Sequence, residues 1–341
     1  MAGYLTPARA RFYIDLVQYA NAAGMVKSYH ESYGLDPYTE KEVPANNAHT
    51  VIFNDYTLIP CMEYIAVLGH KLFTPAASQG YFTAYGYSEG AGSVYITGAE
   101  YVGLTYDANS YANVATADGY GIVKNSTGLM PPTGGYGEAD NDLDKFIVKF
   151  FNMTDPLGCI SLGWYYDMTI APEINNMVGF ESGGVDVSRT PGGSYLTNSY
   201  WDEPPGWAGR EQVPWYLAPT ADVWYTNNKG AGARVWELSY TFMAETDLKS
   251  QYHTEGFVPF ELMADLDANT AGDQSHVVGI KDTFYDKVWR GTMAGRLPFI
   301  FQPDIADDKT YAVARFDQNS IKFTQDSPNT YSFSCRIVES W

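Results

Sequence analysis

The sequence predicts a mostly β protein with few helices, and three observations carry that expectation. Apolar and polar residues alternate with a period of two in several stretches, as half-buried antiparallel strands require. Short apolar bursts end at glycine, the pattern of strands closed by tight turns. Tyrosine accounts for 28 of 341 residues. A phenol has an apolar ring and a hydrogen-bonding tip, which suits half-buried sheet faces and contact surfaces better than a dry core.

Residues 1–46 show little alternation and end at Val43-Pro44-Ala45-Asn46-Asn47, so an extended arm with one short helix is expected there. Strands begin at Thr50-Val51-Ile52-Phe53, and Tyr64-Ile65-Ala66-Val67-Leu68 forms an apolar run stopped by Gly69. From Gly80 to Gly137 short bursts such as Ser93-Val94-Tyr95-Ile96-Thr97 read as strands between turns. Lys145 to Phe151 leads into Asp155-Pro156-Leu157-Gly158, and Cys159 to Tyr166 leaves it, a hairpin-like pair. Gly179 to Gly232 is rich in Gly, Pro and Trp, which predicts long connections or an irregular subdomain.

The last third is more regular. Trp236, Leu238, Tyr240 and Phe242 face one way and Glu237, Ser239 and Thr241 the other, within a strand from Val235 to Met243. Asp282 caps an expected helix whose apolar face is Phe284, Tyr285, Val288, Trp289 and Thr292, with Gly295 as its stop. Short strands follow at Leu297 to Phe301, Tyr311 to Phe316 and Ile321 to Thr324. A last strand alternates from Tyr331 to Trp341.

Composition excludes several function classes. With 21 Lys and Arg against 40 Asp and Glu the formal charge is −19, which opposes general phosphate gripping and sequence-specific nucleic-acid binding. No stretch has the ~18 consecutive apolar residues of a membrane-spanning helix. The first 25 residues are broken by Asp15, Gln18 and Asn21 and do not form a secretory signal, so synthesis and folding in a cytoplasm are expected. Cys61, Cys159 and Cys335 show no CxxC spacing and are expected as reduced, packed thiols.

Catalytic patterns are weak throughout. His30, His49, His70, His253 and His276 fall in no HExxH, HxH or HxxxH spacing, and neither a GxSxG elbow nor a phosphate-binding GxxxxGK[ST] loop occurs. His70, at the end of an apolar run, reads as a structural histidine. Asp140, Asp142 and Asp144 form either a calcium site or a solvated acidic turn. Asp265, Asp267 and Asn269 open like a calcium-binding helix-loop-helix, but Thr270 and His276 stand where glycine and a bidentate glutamate are needed. No catalytic residue, metal ligand or cofactor is assigned. Trp201, Trp207, Trp215 and Trp224 fall in the Pro/Gly-rich stretch, where loop tryptophans anchor an interface, stack on sugar or simply pack.

Two sets of residues resemble known families. Cys61 to Leu72, Phe146 to Phe150 and Gly158 to Gly163 resemble the strand pattern of discoidin-like, galactose-binding-like jelly rolls in virion proteins. Arg234 to Tyr240, Val288 to Met293, Leu297 to Asp304, Ala314 to Asp317 and Arg336 to Trp341 resemble tailed-bacteriophage structural proteins of the minor tail type. The resemblance implies an arm over 1–46, a discoidin-like β-sandwich over 47–178 and a β-rich tail-assembly domain with one or two helices over 179–341. It implies a non-enzymatic virion component of the distal tail, baseplate hub or minor tail, partnered by copies of itself in a ring and by neighbouring tail proteins. The arm would order on a neighbouring subunit. The alternative is an adsorption protein that binds host-surface glycan through the loop tryptophans; a glycoside hydrolase is the third reading.

Overall fold

In a computed structural model the described residues are 9–35, 41–42, 48–53, 63–68, 81–88, 92–94, 120–124, 145–151, 158–173, 177–181, 185–192, 194–199, 233–248, 283–306 and 311–340. They are mostly β, in antiparallel sheets arranged like a sandwich. In chain order the elements are β1 (Arg11–Asp15), α1 (Leu16–Ala22), β2 (Val26–Tyr29), β3 (Ala48–Phe53), β4 (Tyr64–Leu68), β5 (Tyr81–Ser88), β6 (Gly92–Val94), β7 (Tyr120–Lys124), β8 (Lys145–Phe151) and β9 (Cys159–Asp167). There follow β10 (Met177–Glu181), β11 (Val185–Arg189), β12 (Tyr195–Ser199), β13 (Ala233–Ala244) and α2 (Glu245–Leu248). A π-helix (Phe284–Arg290), β14 (Phe299–Gln302), β15 (Ala312–Phe316), β16 (Lys322–Ser327) and β17 (Thr330–Glu339) complete the set.

The large sheet has the order β10-β13-β17-β15-β14-β1-β9-β4-β7, with β16 also on β17. A second sheet runs β2-β3-β8-β5-β6, and β11 pairs with β12. Strand alternation in the large sheet sends Phe12, Ile14, Ile65, Val67, Ile160, Leu162 and Trp164 into one core, where they meet Val51, Phe53, Phe146, Val148 and Phe150 of the second sheet. The same core continues under the π-helix, whose Phe284 and Val288 pack with Phe316 and Phe333.

Three expectations are corrected. Residues 11–15 are not part of an arm: β1 lies between β14 and β9, with Phe12, Tyr13 and Ile14 at 1% exposure or less. Four consecutive buried residues, Phe12 to Asp15, show no alternation, so the strand was hidden in the sequence. The large sheet draws strands from either side of residues 46 and 178. Lys145 to Phe151 and Cys159 to Tyr166 are not a hairpin either. β8 pairs with β3 and β5, β9 pairs with β1 and β4, and the connection passes from one sheet to the other.

Phe242 also departs from its expected facing. The β13–β17 register shifts between Tyr240 and Met243, and Phe242 takes φ 60 and is 81% exposed, while Met243 takes the inward place. A bulge reverses the facing of every residue beyond it. The final strand follows the expected pattern. β17 alternates buried and half-buried residues along its whole length, with β13 on one edge and β15 and β16 on the other. Thr283 caps the π-helix by accepting from the Asp286 amide at 3.1 Å; Asp282 lies outside the described residues.

The tightest point is where β1 turns into α1 over β9. A Cβ on Gly163 would lie 2.1 Å from the Ile14 carbonyl oxygen and 2.9 Å from the Leu16 nitrogen, both backbone atoms that cannot yield. Gly163→Ala should therefore lower unfolding stability by about 3 kcal/mol or more in urea titration. Gly192→Ala, with nothing within 4 Å of the added carbon, should shift it by less than ~0.5 kcal/mol.

Candidate functional site

The second face of the large sheet carries polar groups. Register places Tyr13 and Asp15 of β1, Tyr64 of β4, Ser161 of β9 and Gln302 of β14 there, all at 2% exposure or less. The Tyr13 hydroxyl donates to Gln302 Oε1 at 2.9 Å, and its ring meets Tyr64 edge-on at 5.0 Å. The Tyr64 and Ser161 hydroxyls share a proton-mediated contact of 2.8 Å.

Asp15 ends the seam. Its Oδ1 accepts from the Gln18 amide at 2.7 Å and caps α1, while Oδ2 has no partner with hydrogen-bond geometry among the described residues. Burial raises its pKa to about 6; Ser161 and the amides of Gln18, Val17 and Leu162 lie close enough to hold the rise in check.

Ion pairs frame this face. Arg11 forks onto Asp167, with Nη2 donating to Oδ2 at 2.7 Å, and its guanidinium lies 4.4 Å from the centre of the Tyr165 ring. Lys287 Nζ donates to Glu63 Oε1 at 3.0 Å and to the Tyr165 carbonyl at 3.3 Å. The Trp164 indole donates to the Lys287 carbonyl at 2.8 Å, tying β9 to the π-helix. Farther along, Arg234 grips Glu339 bidentately at 2.6 and 2.9 Å and donates to the Tyr311 carbonyl at 2.9 Å, joining β13, β17 and the approach to β15. Each cation meets its carboxylate from a distant part of the chain, the arrangement that makes a half-buried charge tolerable.

A second cluster sits between the sheets. The Ser32 hydroxyl lies 3.0 Å from His30 Nδ1 and 2.7 Å from His49 Nδ1, and the imidazole centres are 4.7 Å apart. His30 Nδ1 also accepts from the Ser32 amide at 3.2 Å, so that nitrogen carries no proton. The hydroxyl then donates to His30 and accepts from His49 Nδ1–H, which leaves the lone pair on His49 Nε2. That atom is buried with no hydrogen-bond partner among the described residues, and the imidazole centre lies 5.1 Å from that of the Phe150 ring, nearly perpendicular to it. Burial, with His30 beside it, lowers the His49 pKa to about 3; burial also lowers that of His30, with Glu31 opposing. A serine between two imidazoles has the atoms of a nucleophile and base, but Ser32 and His49 are both fully buried. The cluster can hold or take up protons and position backbone; it does not present the hydroxyl to a substrate.

The sequence treats His30 and His49 as isolated, and the β2–β3 pairing brings them together. A usable signal existed: His49 occupies an inward position of the alternating run Ala48 to Phe53, where an imidazole needs a partner. Trp201, Trp207, Trp215 and Trp224 lie outside the described residues, as do the two acidic clusters, His70, His253, His276 and Cys61. Cys159 and Cys335 are buried and in no disulfide, and burial pushes the Cys335 thiol pKa up. Among the described residues no group of three or more His, Cys, Asp or Glu could hold a metal ion. No family model, curated protein or solved structure matches the chain.

Asp15 generates a pH prediction. Its folded pKa lies above the unfolded value of 3.8, so its contribution to stability is complete below that pH and is lost as pH rises through about 6. Asp15→Asn keeps the cap and removes the charge. Urea titrations should show the variant gaining on the wild type between about pH 4 and 6, by up to about 3 kcal/mol at pH 7. A constant difference across that range would mean that the carboxylate is not a penalised charge.

Proposed function

We propose that the chain is a structural component of a phage virion tail, of the distal tail, baseplate hub or minor tail kind, and that it acts by symmetric assembly rather than catalysis. One observation carries the reading. The stretches resembling tail proteins fall on β13, the π-helix and its following turn, β14, β15 and β17, and the four strands are consecutive in the large sheet as β13-β17-β15-β14. Residues scattered over a hundred positions of sequence thus make one continuous piece of framework. Within it Arg234 and Glu339 hold β13 to β17, and Arg290 pairs with Asp286 along the π-helix.

The finer jelly-roll reading of residues 47–178 draws support from β4 and β9 in one sheet packing across a shared core on β3 and β8 in the other. Virion location, ring formation and tail partners rest on the resemblance together with this framework.

Mass photometry and negative-stain imaging of the purified chain test the reading. The expected result is a closed ring whose mass is an integer multiple of the chain mass. A monomer at micromolar concentration that binds a glycan array, with binding lost in Trp207→Ala or Trp215→Ala, would replace assembly with adsorption. Polysaccharide turnover would overturn both.

A further inference from the structure

The segment from His30 to Leu35 stands where a strand would continue. β1 pairs with β9 only from Asp15 opposite Gly163 to Arg11 opposite Asp167, then turns away into α1. This leaves the same edge of β9 open toward Ile160. The Ile160 amide donates instead to the Ser32 carbonyl at 2.7 Å. On the other side the His30 amide donates to the Thr50 carbonyl of β3 at 3.0 Å, and the Tyr33 hydroxyl donates to the His49 carbonyl at 2.8 Å. Tyr33 packs in the core between the sheets, whereas Leu35 joins Tyr64, Leu68 and Cys159 on the far face. Six residues therefore tie the two sheets together through one slot.

The His30–Ser32–His49 cluster sits under this strap, and its hydrogen bonds work only with neutral imidazoles. A proton on His30 Nδ1 would turn an acceptor of two bonds from Ser32 into a donor facing them. A proton on His49 Nε2 would place a charge in a buried position with no acceptor among the described residues. We propose that residues 30–35 form an acid-released strap, in which proton uptake by this cluster detaches Ser32 from Ile160 and opens the two sheets at that edge.

The surroundings allow this. Glu31 is the charged neighbour of His30; Tyr33 lies beside the His49 backbone, with Asp15 beyond it. From β8 the groups facing His49 are Val148 and Phe150, while Lys149 falls on the opposite face by alternation. No described carboxylate faces His49 to hold its proton.

Both imidazoles have folded pKa values below the ordinary 6.5, that of His49 at about 3, so the stability they give is present above pH 6.5 and is lost as pH falls through the folded values. Asp15 has the opposite sign, gaining as pH falls from about 6 to 3.8. Global stability therefore partly cancels the two between about pH 4 and 6, and the strap must be watched locally.

Hydrogen–deuterium exchange of the full chain, corrected for intrinsic rates, provides that readout. Exchange at Ile160 and over residues 30–35 should rise at least about tenfold from pH 6.5 to 4.5, while β13 and β17 stay protected. His30→Asn with His49→Asn keeps an acceptor and a donor for Ser32 but has no site for the proton, and should abolish the rise. An equal rise in that variant, or none in the wild type before the whole protein unfolds, would overturn the proposal. Should the double variant fail to fold, NMR titration of the wild-type imidazoles decides: their midpoint must coincide with the loss of Ile160 amide protection, and separate midpoints would refute it.

Discussion

The close crossing of Ile14 over Gly163 is the constraint on which the rest of the structure depends. β1 joins the C-terminal strands, through β14, to the central strands, through β9. At its end the backbone leaves the sheet so near to β9 that only a residue without Cβ fits beneath it. The π-helix packs at the same point, where a Cβ on Gly291 would meet the Lys287 carbonyl at 2.4 Å, Ile14 at 2.9 Å and Trp164 at 3.0 Å. Two glycines thus let three segments distant in sequence share one contact.

Leaving the sheet has consequences on both sides of the crossing. The unpaired start of α1 is met by a buried aspartate, whose charge opposes folding near neutral pH. The unpaired edge of β9 is met by Ser32, and that segment is positioned by two imidazoles that must stay neutral. Both titrating sites arise from the same geometric event. Their opposite pH dependences follow from chemistry: burial favours the neutral form, which is protonated for a carboxyl and deprotonated for an imidazole.

What the sequence makes legible is local. β3, β13 and β17 alternate because one face is less buried than the other, and that difference is written residue by residue. β1 is buried on both faces and too short for any period, so its five residues look like part of an arm. The sequence Asp155-Pro156-Leu157-Gly158 reads the same whether the flanking strands form a hairpin or belong to different sheets, because the choice lies with β3, β5, β1 and β4. The histidine cluster depends on register between β2 and β3, which no spacing within either strand encodes.

The charge excess takes on a sharper meaning once the interior is known. Arg11, Arg234, Lys287, Arg290 and Arg336 each face a carboxylate, and four of these pairs are largely buried at the cation or the acid. Such pairs are neutral, so the net charge of −19 is carried by the remainder of the chain, where cations are fewer still relative to acids. Like charge opposes both adsorption to nucleic acid and the approach of a second copy. Association of the kind proposed must then draw on apolar and tyrosine contact area. It should tighten as salt screens the repulsion, with a Debye length of about 8 Å at physiological ionic strength. Dissociation by added salt would instead place cross-subunit ion pairs at the centre of the contact.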